Sequence, residues 1–259
     1  MPTMAVPSSR PSRGRFHELS FNKGVGFFSL LVLVAAIAGS RLRIFSEGGC
    51  RSIPGDESWP NQTDWGRLNQ TVDGRLIATI PIAAVCHETF SSTEDISMYN
   101  KEDCDALRNV WFFPETHIPS PSSPMSYPFT NDSCNPFQDP DTPCTIGYHS
   151  AYTINATSPN HIQEAIRFTS ENNIRLVIRN TGHDYLGKST GAHSLAIWTH
   201  YMKSLEFIDT YSSPGYAGPA IKLGAGVETA EAYRFSHSHG LVVVGGNGQT
   251  VGIAGGKYN

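Results

Sequence analysis

Ile174-Arg175-Leu176-Val177-Ile178-Arg179-Asn180-Thr181-Gly182-His183-Asp184-Tyr185-Leu186-Gly187-Lys188-Ser189-Thr190 is the stretch on which the fold turns. Its first five residues are apolar and β-branched enough for a short buried strand. Asn-Thr-Gly-His-Asp then leaves regular structure abruptly, with Gly182 able to take a positive φ. Successive backbone N–H groups in such a turn point at one centre and hold an anion such as a diphosphate. His183 would stand beside whatever that anion belongs to. The same residues also read as a plain polar turn carrying a surface histidine, so the neighbouring segments decide.

Upstream, Tyr148 to Ile154 alternates as a strand does. Ser158-Pro159 starts a helix, with Ser as N-cap and Pro at the first helical position. Ile162, Ala165, Ile166 and Phe168 recur along it, and Asn172-Asn173 ends it. This strand–helix–strand unit delivers the 180–190 loop. Downstream, Leu195–Thr199 reads as a further strand. A second unit comes next: strand Ala220–Leu223, helix Thr229 to His239 closed by Gly240, and Leu241–Val244 as a buried strand. It delivers another glycine loop, Gly245 to Gly256. Ligands of open α/β sheets bind beyond the carboxyl ends of the strands. Gly246-Asn247-Gly248-Gln249-Thr250-Val251-Gly252 is not a nicotinamide-dinucleotide fingerprint: its spacing is one residue too long, and no acidic ribose partner follows at the right distance.

This order of strands and glycine loops resembles the FAD-binding module of the vanillyl-alcohol-oxidase superfamily, and within it the berberine bridge enzyme-like oxidases, especially the secreted fungal kind. The resemblance runs from about Cys50 to Gly256, and Arg-Asn-Thr-Gly-His-Asp-Tyr-Leu-Gly is its most specific part. It implies an α+β fold, a PCMH-type FAD-binding domain of two small α/β subdomains with the second incomplete. It also implies that Asn180, Thr181, Gly182, Asp184 and Tyr185 wrap the FAD diphosphate, and that His183 bonds covalently to the flavin 8α-methyl carbon. A neutral imidazole is nucleophilic near neutral pH, which suits that bond. Gly246, Asn247, Gly248, Thr250, Val251 and Gly252 would add backbone contacts. Gly248 falls where many relatives carry a second, cysteinyl flavin link, so no such link is expected. The entry segment Cys50–Pro60 has Ser52 and Ser58 where the fungal oxidases commonly carry cysteines, which suggests a bridge lost as a unit.

The 259 residues suffice to bury a real core, and 24 Gly and 17 Pro imply many loops. Net charge is −4 with no basic stripe, so nucleic acid is not an expected partner. Residues 1–23 are basic and Pro/Ser-rich. Residues 24–40 are uncharged and apolar, a secretory signal or a signal anchor, with the long basic flank favouring a single-pass anchor over cleavage and secretion. Either way the rest of the chain would meet the secretory lumen. Sequons at Asn61, Asn69, Asn131 and Asn155 agree, as do five cysteines beyond the leader. Cys86–Cys104 and Cys134–Cys144 are plausible local pairs that would leave Cys50 over, the spacing not fixing the pairing, with a zinc site the weaker alternative. Trp65–Asn69 begins a short helix, Gly74–Ala78 a strand, and Asp103–Trp111 an amphipathic helix with Leu107, Val110 and Trp111 on one side. Residues 113–146, with eight prolines, are irregular covering structure. The organisation expected is thus 1–23, 24–40, an irregular disulfide-bearing region 41–145, and the FAD-binding domain 146–259.

Other histidines carry less. His237 and His239 do not share a helical face and read as solvated. His193 and His200 flank the Leu195–Thr199 strand without an identifiable role. Asp184 either orients His183 or caps its turn, the commoner use. The resemblance breaks at Lys257, before the residues that would bind substrate or act as base, so no catalytic residue is named. Two functions are therefore expected in competition. One is an FAD-linked oxidase of a small alcohol, sugar or secondary metabolite that passes electrons to O2. The other is a truncated, catalytically silent remnant of a flavin module.

Overall fold

A computed structural model describes residues 49–91 and 95–254. The two leader segments lie outside the described residues. The chain divides into units 1–49 and 50–259, and the second carries every described helix and strand.

Helix α1 (Gln62–Thr71) starts at Asn61, whose side-chain oxygen accepts from the N–H groups of Thr63 and Asp64. That satisfies two of the donors a helix start leaves open. Trp65 and Leu68 face inward from it. Strand β1 (Leu76–Ala78) then pairs antiparallel with β5 (Tyr152–Asn155). Between them lies the proline-rich cover. Strands β2 (Phe90–Ser91), β3 (Asp95–Ile96) and β4 (Cys144–Thr145) form a small sheet beside α2 (Lys101–Val110) and the single turn α3 (Pro114–His117). Disulfides Cys86–Cys104 and Cys134–Cys144 hold this region, and Cys50 is a free, exposed thiol. His87, fully buried, sets its two ring nitrogens against the carbonyls of Thr142 (2.7 Å) and Asn135 (3.1 Å), tying one disulfide segment to the other. Trp111 is buried as expected, whereas Val110 turns to solvent.

From β5 the chain enters α4 (Pro159–Glu171) and returns in β6 (Arg175–Arg179). Ser158 does occupy the N-cap, although its hydroxyl makes no capping bond. Strand β7 (Ser194–Trp198) inserts between β5 and β6, parallel to both, giving the order β1-β5-β7-β6. A central parallel strand is covered on both faces, and every residue of β7 is buried. Trp65, Leu68 and Val72 of the α1 segment, Ala165 of α4, and Ile154, Leu195 and Ile197 of the sheet make one core. Each fully buried aliphatic side chain there contributes about 1.5–3 kcal/mol.

The expectation of a buried strand over 174–178 needs correction. β6 lies at the sheet edge, so Leu176 and Ile178 turn outward (Ile178 64% exposed) while Val177 and the charged Arg179 turn in.

After β7 comes a hairpin the sequence did not disclose: β8 (Leu205–Ser213) and β9 (Tyr216–Leu223) pair antiparallel around a Gly215 turn with φ +88°. Residues 220–223 are thus the end of a longer strand. Helix α5 (Thr229–Ser238) comes next, and Gly240 ends it at φ +69°. Leu241–Val244, expected as a buried strand, is irregular, with Val242 96% and Val244 77% exposed. An apolar run becomes a strand only where a neighbouring edge offers hydrogen bonds, and no strand pairs with it among the described residues. Val227, Ala232 and Ile253 form the small core of this second part.

Candidate functional site

The carboxyl end of β6 delivers one loop, residues 180–190, to a cleft of about 450 Å³, which Thr199 after β7 and a second loop, residues 250–254 after α5, also reach. It is lined by Ile178, Asn180, Thr181, Gly182, His183, Asp184, Lys188, Ser189, Thr199, Ala225, Val251, Gly252 and Ala254. The second loop arrives because Thr229 anchors it: the Thr229 N–H and hydroxyl both donate to the Val251 carbonyl at 2.9 Å. Ile253 N–H then donates to the Val227 carbonyl, and Glu228 and Gly252 form an isolated bridge. Two cross-links hold the first loop, one to the second loop and one to the segment at Ala225. His183 Nε2 lies 2.8 Å from Thr250 Oγ1, and Asn180 Nδ2 donates to the Ala225 carbonyl at 2.9 Å.

Asp184 settles its own role. Its carboxylate accepts from the N–H groups of Leu186, Lys188 and Ser189, so it caps the turn. The distribution of the other expected site residues is uneven. Asn180, Thr181, Gly182, His183, Asp184, Val251 and Gly252 line the cleft, and Thr250 touches it through His183. Tyr185 is not among the lining residues and is 87% exposed. Asn247 instead lines a separate depression with Tyr233 and Arg234; the Gly246 carbonyl accepts from the Tyr233 hydroxyl, and Gly248 packs against the Val251 side chain. His193 precedes β7 at the opposite end of the sheet. Sequence reasoning overlooked Ile178, Lys188, Ser189, Thr199, Ala225 and Ala254. The signal for Ala225 was present, because Gly224-Ala225-Gly226 crosses the chain so tightly that a Cβ at Gly226 would meet the His200 carbonyl oxygen at 2.2 Å.

Beneath the first loop lies Arg179, with no solvent exposure. Its Nε donates to the Ser120 carbonyl (3.2 Å) and its Nη2 to the carbonyls of His117 (2.9 Å) and Thr181 (3.4 Å). Burial pulls the guanidinium down to about 9, still charged at neutral pH. Three imidazoles around it are kept neutral. Burial lowers His117, lowers His149 to about 4, and with Lys203 lowers His200 to about 4; the Arg179 charge adds to each. The partners of His117 agree with a neutral ring, Nε2 donating to the Trp111 carbonyl and Nδ1 accepting from Ser123.

The cleft suits an anionic dinucleotide on four counts. The N–H groups of Thr181 and Gly182 donate no hydrogen bond among the described residues. Asn180 Oδ1 is buried without a partner among the described residues. Gly182 and Gly252, where a Cβ would collide with the Arg179 guanidinium and the Asn180 side chain, leave the cleft wall there as bare backbone. Lys188 adds a cation at the rim. Among the described residues no group of side chains could hold a metal ion, and no helix is long and apolar enough to cross a membrane.

The fold matches the FAD-binding domain of vanillyl-alcohol-oxidase-type flavoproteins. Residues 150–256 match the family described as FAD binding domain. It is 47% identical over 208 residues to the VAO-type flavoprotein oxidase VAO615 of Thermothelomyces thermophilus, covering 80% of this chain and 35% of that protein. It is 44% identical to the FAD-linked oxidoreductase patO of Aspergillus clavatus, over 90% of this chain and 39% of that one. The crystal structure of MtVAO615 from Myceliophthora thermophila superposes with a TM-score of 0.76 at 46% identity, over 80% of this chain and 37% of that one. The chain therefore spans little more than a third of the length of these relatives.

Proposed function

We propose that this chain is the flavin-holding part of an FAD-linked oxidase of the secretory pathway. The observation that carries the reading is the meeting of residues 180–184 with residues 250–254 around one cleft, joined by His183 and Thr250. The N–H groups of Asn180 to Asp184 hold the diphosphate, and Lys188 adds charge at the rim. Val251 and Gly252 form the opposing wall; Gly246, Asn247 and Gly248 shape the loop that carries them, and Tyr185 lies beyond it. His183 is the attachment point for the flavin, its ring steered by Thr250. When bound, the flavin supplies hydride acceptance from a small alcohol, sugar or secondary metabolite and hands the electrons to O2. The names of the relatives support oxidoreductase chemistry of this class over a silent remnant.

Passage through the secretory lumen is supported by the two disulfides and by sequons whose Asn61 and Asn131 are exposed. The domain division at 145/146 belongs to the same proposal, with α1 and β1 of the earlier segment completing the core of the later one. The test is the chain made with FAD present. It should be yellow and keep fluorescent flavin through acid precipitation, with the tryptic peptide spanning His183 heavier by the flavin mass. His183→Ala should abolish that adduct. An unmodified peptide from a flavin-replete preparation would refute the attachment.

A further inference from the structure

Arg179 is the feature that the proposed function leaves unexplained. A guanidinium with no solvent exposure normally lies against a carboxylate. Here its three bonds all go to backbone carbonyls, and Nη1 is buried with no partner among the described residues. The three histidines nearest it are held neutral, so its charge is neither matched nor shared.

Its position says where that charge is directed. A Cβ on Gly182 would fall 2.2 Å from Arg179 Nη1, so the unpartnered nitrogen sits directly under the Gly182 backbone. Nη2 meanwhile donates to the Thr181 carbonyl. In a trans peptide the C=O and the following N–H point to opposite sides, and the chain has no cis bond among its described residues. Drawing the Thr181 oxygen inward therefore turns the Gly182 N–H outward. Gly182 lines the cleft, and its φ of +87° is the conformation the arrangement requires.

Resting on the proposed flavin site, we propose that Arg179 is a positioning residue for a diphosphate in the cleft. It clamps the Thr181–Gly182 peptide with its N–H facing the anion and supplies, from below, the positive charge that the anion compensates. The free protein carries an unmatched buried cation, and ligand binding supplies its counter-charge through one layer of backbone.

The experiment uses the full chain from a riboflavin-limited host and two variants that separate charge from hydrogen bonding. Arg179→Gln keeps donors without charge, and Arg179→Lys keeps charge with a simpler donor set. Inorganic pyrophosphate should stabilise the unaltered chain in a thermal-shift titration at least about tenfold more tightly than sulfate at equal ionic strength. Arg179→Gln should weaken pyrophosphate about tenfold or more, a loss of about 1.4 kcal/mol. Arg179→Lys should lose less. Gly182→Ala, whose methyl displaces the guanidinium, should behave like the Gln variant. Equal binding by Arg179→Gln and the unaltered chain overturns the proposal, as does a Lys variant no better than Gln. Should a variant not fold, the unaltered chain still decides, because pyrophosphate no better than sulfate overturns the proposal. A chain that takes up FAD yet ignores pyrophosphate defeats this inference alone; a chain that takes up neither defeats the flavin site as well.

Discussion

Gly252→Ala tests the cleft at its tightest point. An alanine methyl there would stand 2.0 Å from Asn180 Nδ2 and 3.0 Å from Cγ, distances at which something must move. The backbone at 252 is not in the left-handed region, so the collision is the whole effect. Asn180 must yield, and it gives up its 2.9 Å bond to the Ala225 carbonyl. Overpacking costs about 1–3 kcal/mol and the lost bond about 1 kcal/mol, so Gly252→Ala should destabilise by about 2–4 kcal/mol. Asn180→Ala alone should cost about 1–2 kcal/mol. With Asn180 cut back to its Cβ, the nearest atom to the new methyl is 3.7 Å away, an ordinary contact. The double variant should therefore cost little more than Asn180→Ala by itself, a coupling of about 2 kcal/mol or more. Urea unfolding of all four proteins gives that coupling, and flavin retention gives the consequence for the site. Additivity within about 0.5 kcal/mol would refute this packing, since residues without a shared contact behave so.

Geometry elsewhere sets two further outcomes. The hydroxyls of Ser52 and Ser58 lie 2.8 Å apart, with Ser52 buried, so Ser52→Cys/Ser58→Cys should close a disulfide on oxidation and stabilise by about 2 kcal/mol for so short a loop; non-reducing peptide mass spectrometry showing both thiols free, or either joined to Cys50, would sink the idea of a bridge lost as a unit. His149 is held near 4 by burial, against about 6.5 unfolded, so the unfolded chain binds the extra proton between those values and stability falls as pH drops through that window, by about 3 kcal/mol in all. His149→Asn, which keeps a donor for the Ile146 carbonyl, should flatten the decline measured by urea midpoints from pH 7 to 4, and an unchanged slope would show that the acid sensitivity arises elsewhere.

The local signals read correctly were those that a few adjacent residues decide alone. Ser158-Pro159 placed the start of α4 and Gly240 the end of α5, and the short spacings made Cys86–Cys104 and Cys134–Cys144 candidate pairs that the structure then fixes. The Arg179–Asp184 motif likewise announced a turn needing positive φ at Gly182. Whatever depended on a neighbour was not legible. An apolar pentapeptide does not say whether it lies at a sheet centre or edge, so β6 was expected buried and is half exposed, while Leu241–Val244 pairs with no strand among the described residues. The β8–β9 hairpin was hidden because its strands are largely exposed and lack a clean alternation.

Turn chemistry in the 180–190 loop and the helix ends were written in the residues themselves, because each is set by backbone sterics over a few residues. Packing alone brought Thr250 to His183, set Ala225 against Asn180 and buried Arg179 beneath Gly182. Those contacts join elements whose partners are fixed by how β6, β7 and α5 come together rather than by any residue's own preference.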